Sequence, residues 1–230
     1  MGGGHSAFAP KFGLGRLFYH IHSAHALFNS WYDNTGVDNV LQFTIVLANG
    51  SLVTTNFFQY PDLFWALRGG GGGTFGVVTS TTYQTHPVFP MVAAIMLSNF
   101  SSPAIAQNVT TEFIKLHPNL SDAGWGGYLG FSNFNLSAIL VAPNVSWADA
   151  NETILPFSQY IEDATGGSVF ATTIPFPSFY EFYTTFFGGS GQVGSIDEIA
   201  SRLLPRSLAE TDPAKAAEII LSINGSVGMK

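Results

Sequence analysis

The glycine run Gly69 to Gly73, inside "DLFWALRGGGGGTFGVV", constrains this chain more than any other stretch. Glycine loses more backbone freedom on ordering than any other residue, so five in a row are costly unless bare main chain must lie against something. The run is entered from "PDLFWALRG", which predicts a short helix. Pro61 stands at a first helical position, Leu63, Phe64 and Leu67 share a face, and Gly69 is the stop. It is left through "TFGVVTSTTYQTHPV", a β-branched strand closed by Pro87. Helix, glycines, strand is the wrong order for a dinucleotide-binding fingerprint. No Lys-Ser/Thr follows, so it is not a phosphate loop either. A ligand-contacting loop and a flexible linker both remain open.

Composition sets the surroundings of that joint. Of 230 residues, 46% are hydrophobic and 10% charged, well below the usual quarter. The net charge is −7 and the eight Lys and Arg are scattered singly, which argues against nucleic acid as a partner. No apolar run is long enough to span a bilayer, so no membrane role is expected, and residues 1–20 do not read as a signal peptide. Without cysteine there is neither a disulfide framework nor a thiolate metal site. Asn-x-Ser/Thr occurs eight times, at Asn49, Asn99, Asn108, Asn119, Asn135, Asn144, Asn151 and Asn224. Thirteen asparagines should give roughly two by chance. Glycans would supply the polarity the composition lacks, which implies a secreted parent protein.

The remaining patterns predict two domains, 1–89 and 90–230. "VDNVLQFTIVL", "ANG" and "SLVTTN" read as a β-hairpin. Beyond the Pro87–Pro90 boundary come a strand over 92–100, a helix over 102–117 opened by Ser102 and Pro103, and paired strands in "GWGGYLGFS" and "FNLSAILVA". A helix capped by Ser146 and a strand in "GSVFATTIP" follow, with a last helix starting near Asp212. Strand–helix–strand–strand–helix–strand predicts an α+β fold with helices on one face of an antiparallel sheet. His86 and His117, each before a proline, read as structural residues at element ends. Trp125, Tyr128, Phe131 and Phe134 read as sheet core, with one face as an alternative cavity lining. Glu181 reads as the polar face of a short aromatic helix.

Three stretches in series, "GGGHSAFAPKFGLG", "VDNVLQFTIVLANGSLVTTN" and "PDLFWALRGGGGGTFGVVTSTTYQTHP", resemble FAD-linked oxidoreductases of the berberine-bridge-enzyme type, within the vanillyl-alcohol-oxidase fold group. "SRLLPRSL" is similar to a segment of the secreted fungal members. The resemblance implies that 1–89 is the second half of a PCMH-type FAD-binding domain and 90–230 a partial substrate domain. It maps cofactor contacts onto Gly2, Gly3, Gly4 and His5, onto Gly13, Gly15, Asp38, Asn39 and Val40, and onto Gly76, Val77 and Val78. For Asp38, a turn residue before the strand is an equal reading. FAD is the implied cofactor. The implied reaction takes a hydride from an alcohol, sugar or secondary-metabolite substrate, with O₂ as electron acceptor. The family's flavin-anchoring loop and the Tyr that acts near substrate have no counterpart, so the chain is expected to be a fragment with no assignable catalytic residue. Residues 16–36, "RLFYHIHSAHALFNSWYDNTG", interrupt the family pattern and are read as a retained intron translated in frame. The alternatives are a surface loop or a metal site at His20, His22 and His25. A rival to the enzyme is a non-catalytic relative that binds carbohydrate or a protein partner.

Overall fold

The structure, a computed structural model, describes residues 39–71, 73–84, 87–186, 204–223 and 227–229, the last three by backbone alone. The chain divides into two compact units, Met1–Pro87 and Val88–Lys230.

In the first unit, β1 (Val40–Val46) and β2 (Leu52–Thr55) form the expected hairpin. Its turn follows from "ANG": Gly50 takes φ +83°, and Asn49 Oδ1 accepts from the Ser51 amide at 3.0 Å. Helix α1 (Pro61–Leu67) has Pro61 in its first turn, as expected. It buries Phe64 against Phe43, with ring centres 5.8 Å apart, and Val40 completes the cluster. Where α1 ends, Gly70 donates to the Ala66 carbonyl at 2.8 Å. A Cβ on Gly70 would stand 2.5 Å from that oxygen and from the Phe75 ring, so here glycine is demanded by packing. Strand β3 (Val77–Tyr83) then pairs antiparallel with β1, giving the order β2-β1-β3.

The second unit has the predicted α+β order. β4 (Met91–Asn99), α2 (Pro103–Asp122), β5 (Gly126–Phe131), β6 (Asn135–Pro143), α3 (Trp147–Thr165) and β7 (Val169–Phe176) lead to three short helices. These are α4 (Phe179–Phe186), α5 (Arg206–Thr211) and α6 (Pro213–Ser222), and β8 (Val227–Met229) closes the order. The sheet runs β7-β4-β6-β5-β8, antiparallel throughout. Ser102 and Ser146 cap α2 and α3, accepting from Ile105 and Asp149 amides at 3.4 and 3.1 Å. On the helix side of the sheet, Val92, Ala94, Met96, Leu136 and Leu140 meet Phe113, Ile154 and Phe157 in one core.

Two expectations are corrected, and two short elements are added. Helix α2 continues through Pro118 to Asp122, because burying Pro118 and Leu120 offsets the one backbone hydrogen bond that proline forfeits. His117 is therefore inside the helix, half-buried with its ring 5.5 Å from Phe113, and not at an element end. Burial lowers its pKa. Helix α5 and strand β8 carry too few residues to announce themselves. The former is tied to α2 by Arg206, which donates to both Asp122 oxygens at 2.8 Å.

A main-chain cradle and an open sheet face

Of the mapped cofactor contacts, Gly2, Gly3, Gly4, His5, Gly13, Gly15 and Asp38 lie outside the described residues, as do the 16–36 insertion and His86. The structure places the other five on two neighbouring strands. Asn39 and Val40 begin β1, both buried, and the Asn39 carbonyl accepts from the Gln84 amide at 2.7 Å. Val77 and Val78 pair with Val46 and Ile45 at the opposite end of β1. At about 3.3 Å per residue, the two groups stand roughly 20 Å apart along the strand. They are not one cluster but the two ends of an extended track.

Gly76 opens β3 at φ +146°, and a Cβ there would meet the Val46 carbonyl at 2.3 Å. Its glycine is thus accounted for by the close approach of β1. What the region offers a ligand is the outer edge of β3, which pairs with no strand among the described residues. An edge strand presents main-chain donors and acceptors in a row. Thr81, on the same strand, has a buried hydroxyl without a hydrogen-bond partner. Gly71 and Gly73 before it adopt φ +98° and +74°, and a Cβ on Gly73 would meet nothing, so conformation and not crowding requires glycine there. Small residues around free main chain suit a cofactor recognised through its backbone contacts.

The second unit offers side chains instead. The sheet face opposite α2 and α3 carries the cross-strand row Tyr128, Ile139, Ile95 and Thr172, all half-buried. Burial pushes the Tyr128 hydroxyl up to about 12, so it stays a neutral donor at any ordinary pH. The four aromatics grouped in the sequence therefore part company. Trp125 and Phe131 are core, as expected; the Trp125 indole donates to Thr153 Oγ1 at 2.8 Å, and Phe131 lies 5.5 Å from Phe113. Tyr128 turns to the open face, and Phe134 is 67% exposed in the β5–β6 turn. Strand alternation in "GWGGYLGFS" was the available signal for that split. Glu181 is exposed in the first turn of its helix, where its amide donates to the Ser178 hydroxyl oxygen and its carboxylate accepts from that hydroxyl, as the polar-face reading expects. Among the described residues there is no cluster of three or more His, Cys, Asp or Glu that could hold a metal, and no helix long and apolar enough to cross a membrane.

A small antiparallel sheet followed in sequence by a helix-backed antiparallel sheet is an α+β arrangement that matches VAO-type flavoproteins. The crystal structure of VAO-type flavoprotein MtVAO615 from Myceliophthora thermophila C1 matches it with a TM-score of 0.70 at 25% identity, covering 95% of this chain and 37% of that one. In sequence, the chain is 31% identical over 218 residues to the FAD-linked oxidoreductase OXR2 of Pyricularia oryzae, covering 94% of this chain and 32% of that protein. It is 36% identical over 160 residues to the FAD-linked oxidoreductase phmC of Phaeosphaeria nodorum, covering 69% of this chain and 35% of that protein. No protein-family model matches the chain. The chain is a relative of the FAD-linked oxidoreductases, whose cofactor is FAD, and it spans about a third of the length of the curated relatives it matches.

Proposed function

We propose that this chain is the part of a secreted FAD-linked oxidoreductase that carries one side of the cofactor cradle and a substrate-facing sheet. The carrying observation is the match of nearly the whole chain, in sequence and in fold, to that group. In this reading Gly2, Gly3, Gly4, His5, Gly13, Gly15, Asp38, Asn39 and Val40, with Gly76, Val77 and Val78, hold FAD largely through main-chain groups. When bound, FAD supplies the hydride acceptor, and the protein's share is binding, orientation and electrostatics. The substrate is an alcohol, sugar or secondary metabolite that gives up a hydride from carbon, with O₂ as the final acceptor. Residues 1–89 belong to the flavin domain and 90–230 to the substrate domain. The row Tyr128, Ile139, Ile95 and Thr172 is an apolar centre flanked by two neutral hydroxyls, a chemistry suited to orienting a hydroxylated substrate.

The 230-residue chain supplies too little of the cradle to retain the cofactor, so it is expected to bind FAD weakly or not at all and to show no turnover. Purifying it with excess FAD, desalting, and recording the flavin absorbance per protein tests this. A stoichiometric yellow complex that bleaches on adding an alcohol or sugar would overturn the expected inactivity. A full-length parent that purifies colourless would overturn the flavoprotein reading itself.

A further inference from the structure

We propose that Asn99 and Asn135 are N-glycosylated and that their glycan stems seat in the surface groove beside them. This rests on the secretory reading above. The two asparagines, 36 positions apart in the sequence, are direct Cα partners where β4 ends and β6 begins. Both are exposed on the open sheet face, and neither side-chain amide is engaged in a hydrogen bond among the described residues. Next to them lies a groove of about 720 Å³ with Leu97 and Phe170 on its floor and Ser137 on its rim. Leu97 and Phe170, cross-strand partners, are 50% and 58% exposed. A sugar ring has an apolar face that packs on an aromatic side chain and hydroxyls that meet a polar rim. This floor and rim therefore suit the N-acetylglucosamine stem of a glycan tethered at the groove's edge. Other acceptors are less free. Asn151 is half-buried and accepts from Thr173 Oγ1 at 2.7 Å, and the Thr110 that Asn108 requires is fully buried.

The modification joins Asn Nδ2 to the anomeric carbon of N-acetylglucosamine. The donor is an oligosaccharide on a lipid pyrophosphate; its sugar–phosphate bond breaks, the pyrophosphate leaves with the electron pair, and the amide loses a proton. No oxidant or reductant is needed.

The test directs the 230-residue chain into the secretory pathway of a yeast and recovers both secreted and retained material. Acceptor sites are modified as the chain enters the lumen, so retained protein reports equally. Peptide-N-glycosidase digestion in ¹⁸O-water followed by chymotryptic mass mapping should mark Asn99 and Asn135. On undenatured protein, endoglycosidase trimming should be several-fold slower at these two sites than at Asn49. Phe170→Ser, at an exposed position, should abolish the difference, as should denaturation. Marks elsewhere but not at Asn99 and Asn135 would defeat this assignment while leaving the secretory reading intact. No mark at any asparagine would defeat both. Marked sites trimmed at the Asn49 rate would defeat the seating.

Discussion

The two sheets of this chain invest in different parts of the polypeptide. In the five-stranded sheet, side chains carry the structure, because twenty buried apolar residues from strands and helices form one core. Around the three-stranded sheet the buried apolar side chains among the described residues are Val40, Phe43 and Ile45 with Phe64 of α1, and the nearby Phe58 and Trp65 are 98% and 75% exposed. What the smaller sheet presents is main chain: an edge on β3 with no strand partner among the described residues, approached through Gly71, Gly73 and Gly76 at φ values other residues rarely adopt. Under the proposed function, a region that presents its backbone to a cofactor can spend little on side-chain packing, whereas a region that forms a wall for substrate must lock its side chains from behind.

Four substitutions would sharpen or break that contrast. The largest effect should come from Phe113→Ala, which removes the ring lying 5.5 Å from Phe131 and 5.4 Å from Phe157. A loss of about 3–5 kcal/mol in the second unit is expected from urea denaturation followed by indole fluorescence. A loss under about 1 kcal/mol, the size of an ordinary surface change, would contradict a side-chain-dominated sheet. Next come two matched glycines, Gly76 and Gly127, whose added Cβ would meet a neighbouring strand's carbonyl at 2.3 and 2.2 Å. Gly76→Ala and Gly127→Ala should each cost about 1–3 kcal/mol in their own unit, read by hydrogen exchange of β1 and of β6 respectively. If Gly76→Ala left β1 protection unchanged, the tight β1–β3 approach would be wrong.

The smallest effect concerns Asp122 and Arg206, an exposed pair whose contribution solvent screens. The hydrogen bond from Arg206 holds the Asp122 carboxyl below its ordinary value. The unfolded chain therefore binds the proton first as pH falls. The pair's contribution is present above the unfolded carboxylate pKa and is lost as pH drops through the lower, folded one. Melting temperatures of the chain and of Asp122→Asn should differ slightly at neutral pH, converge in acid, and converge again in high salt. A gap that persists in acid would mean that something other than charge is involved.

Sequence patterns revealed the elements whose signals are local. Ser102–Pro103 and Ser146 marked helix starts, "ANG" marked the hairpin turn, and the apolar run in β4 marked a sheet strand. They were less informative where tertiary burial decides. Pro118 reads as a stop, yet the core behind it carries the helix on. The six residues of α5 are placed by burying Ala209 in a cluster with Ile114, with a contact to Asp122 that lies 84 positions away. The mapped cofactor residues could be found only through resemblance, because main-chain recognition leaves no distinctive side chain behind. Geometry then added what resemblance did not show: Val40 and Val77 lie at opposite ends of one strand, and Gly76 is glycine because of Val46.

The outer neighbour of β5 is supplied by Val227–Met229, which pair with Leu129–Phe131. A ribosome must deliver everything from Ser132 to Ser226 before that partner emerges. Until then β5 waits with one side bare, open to the wrong strand or to another nascent molecule. This late-made strand thus acts as a latch on the sheet, and a stop codon before it would release a polypeptide prone to sticking rather than one merely shortened.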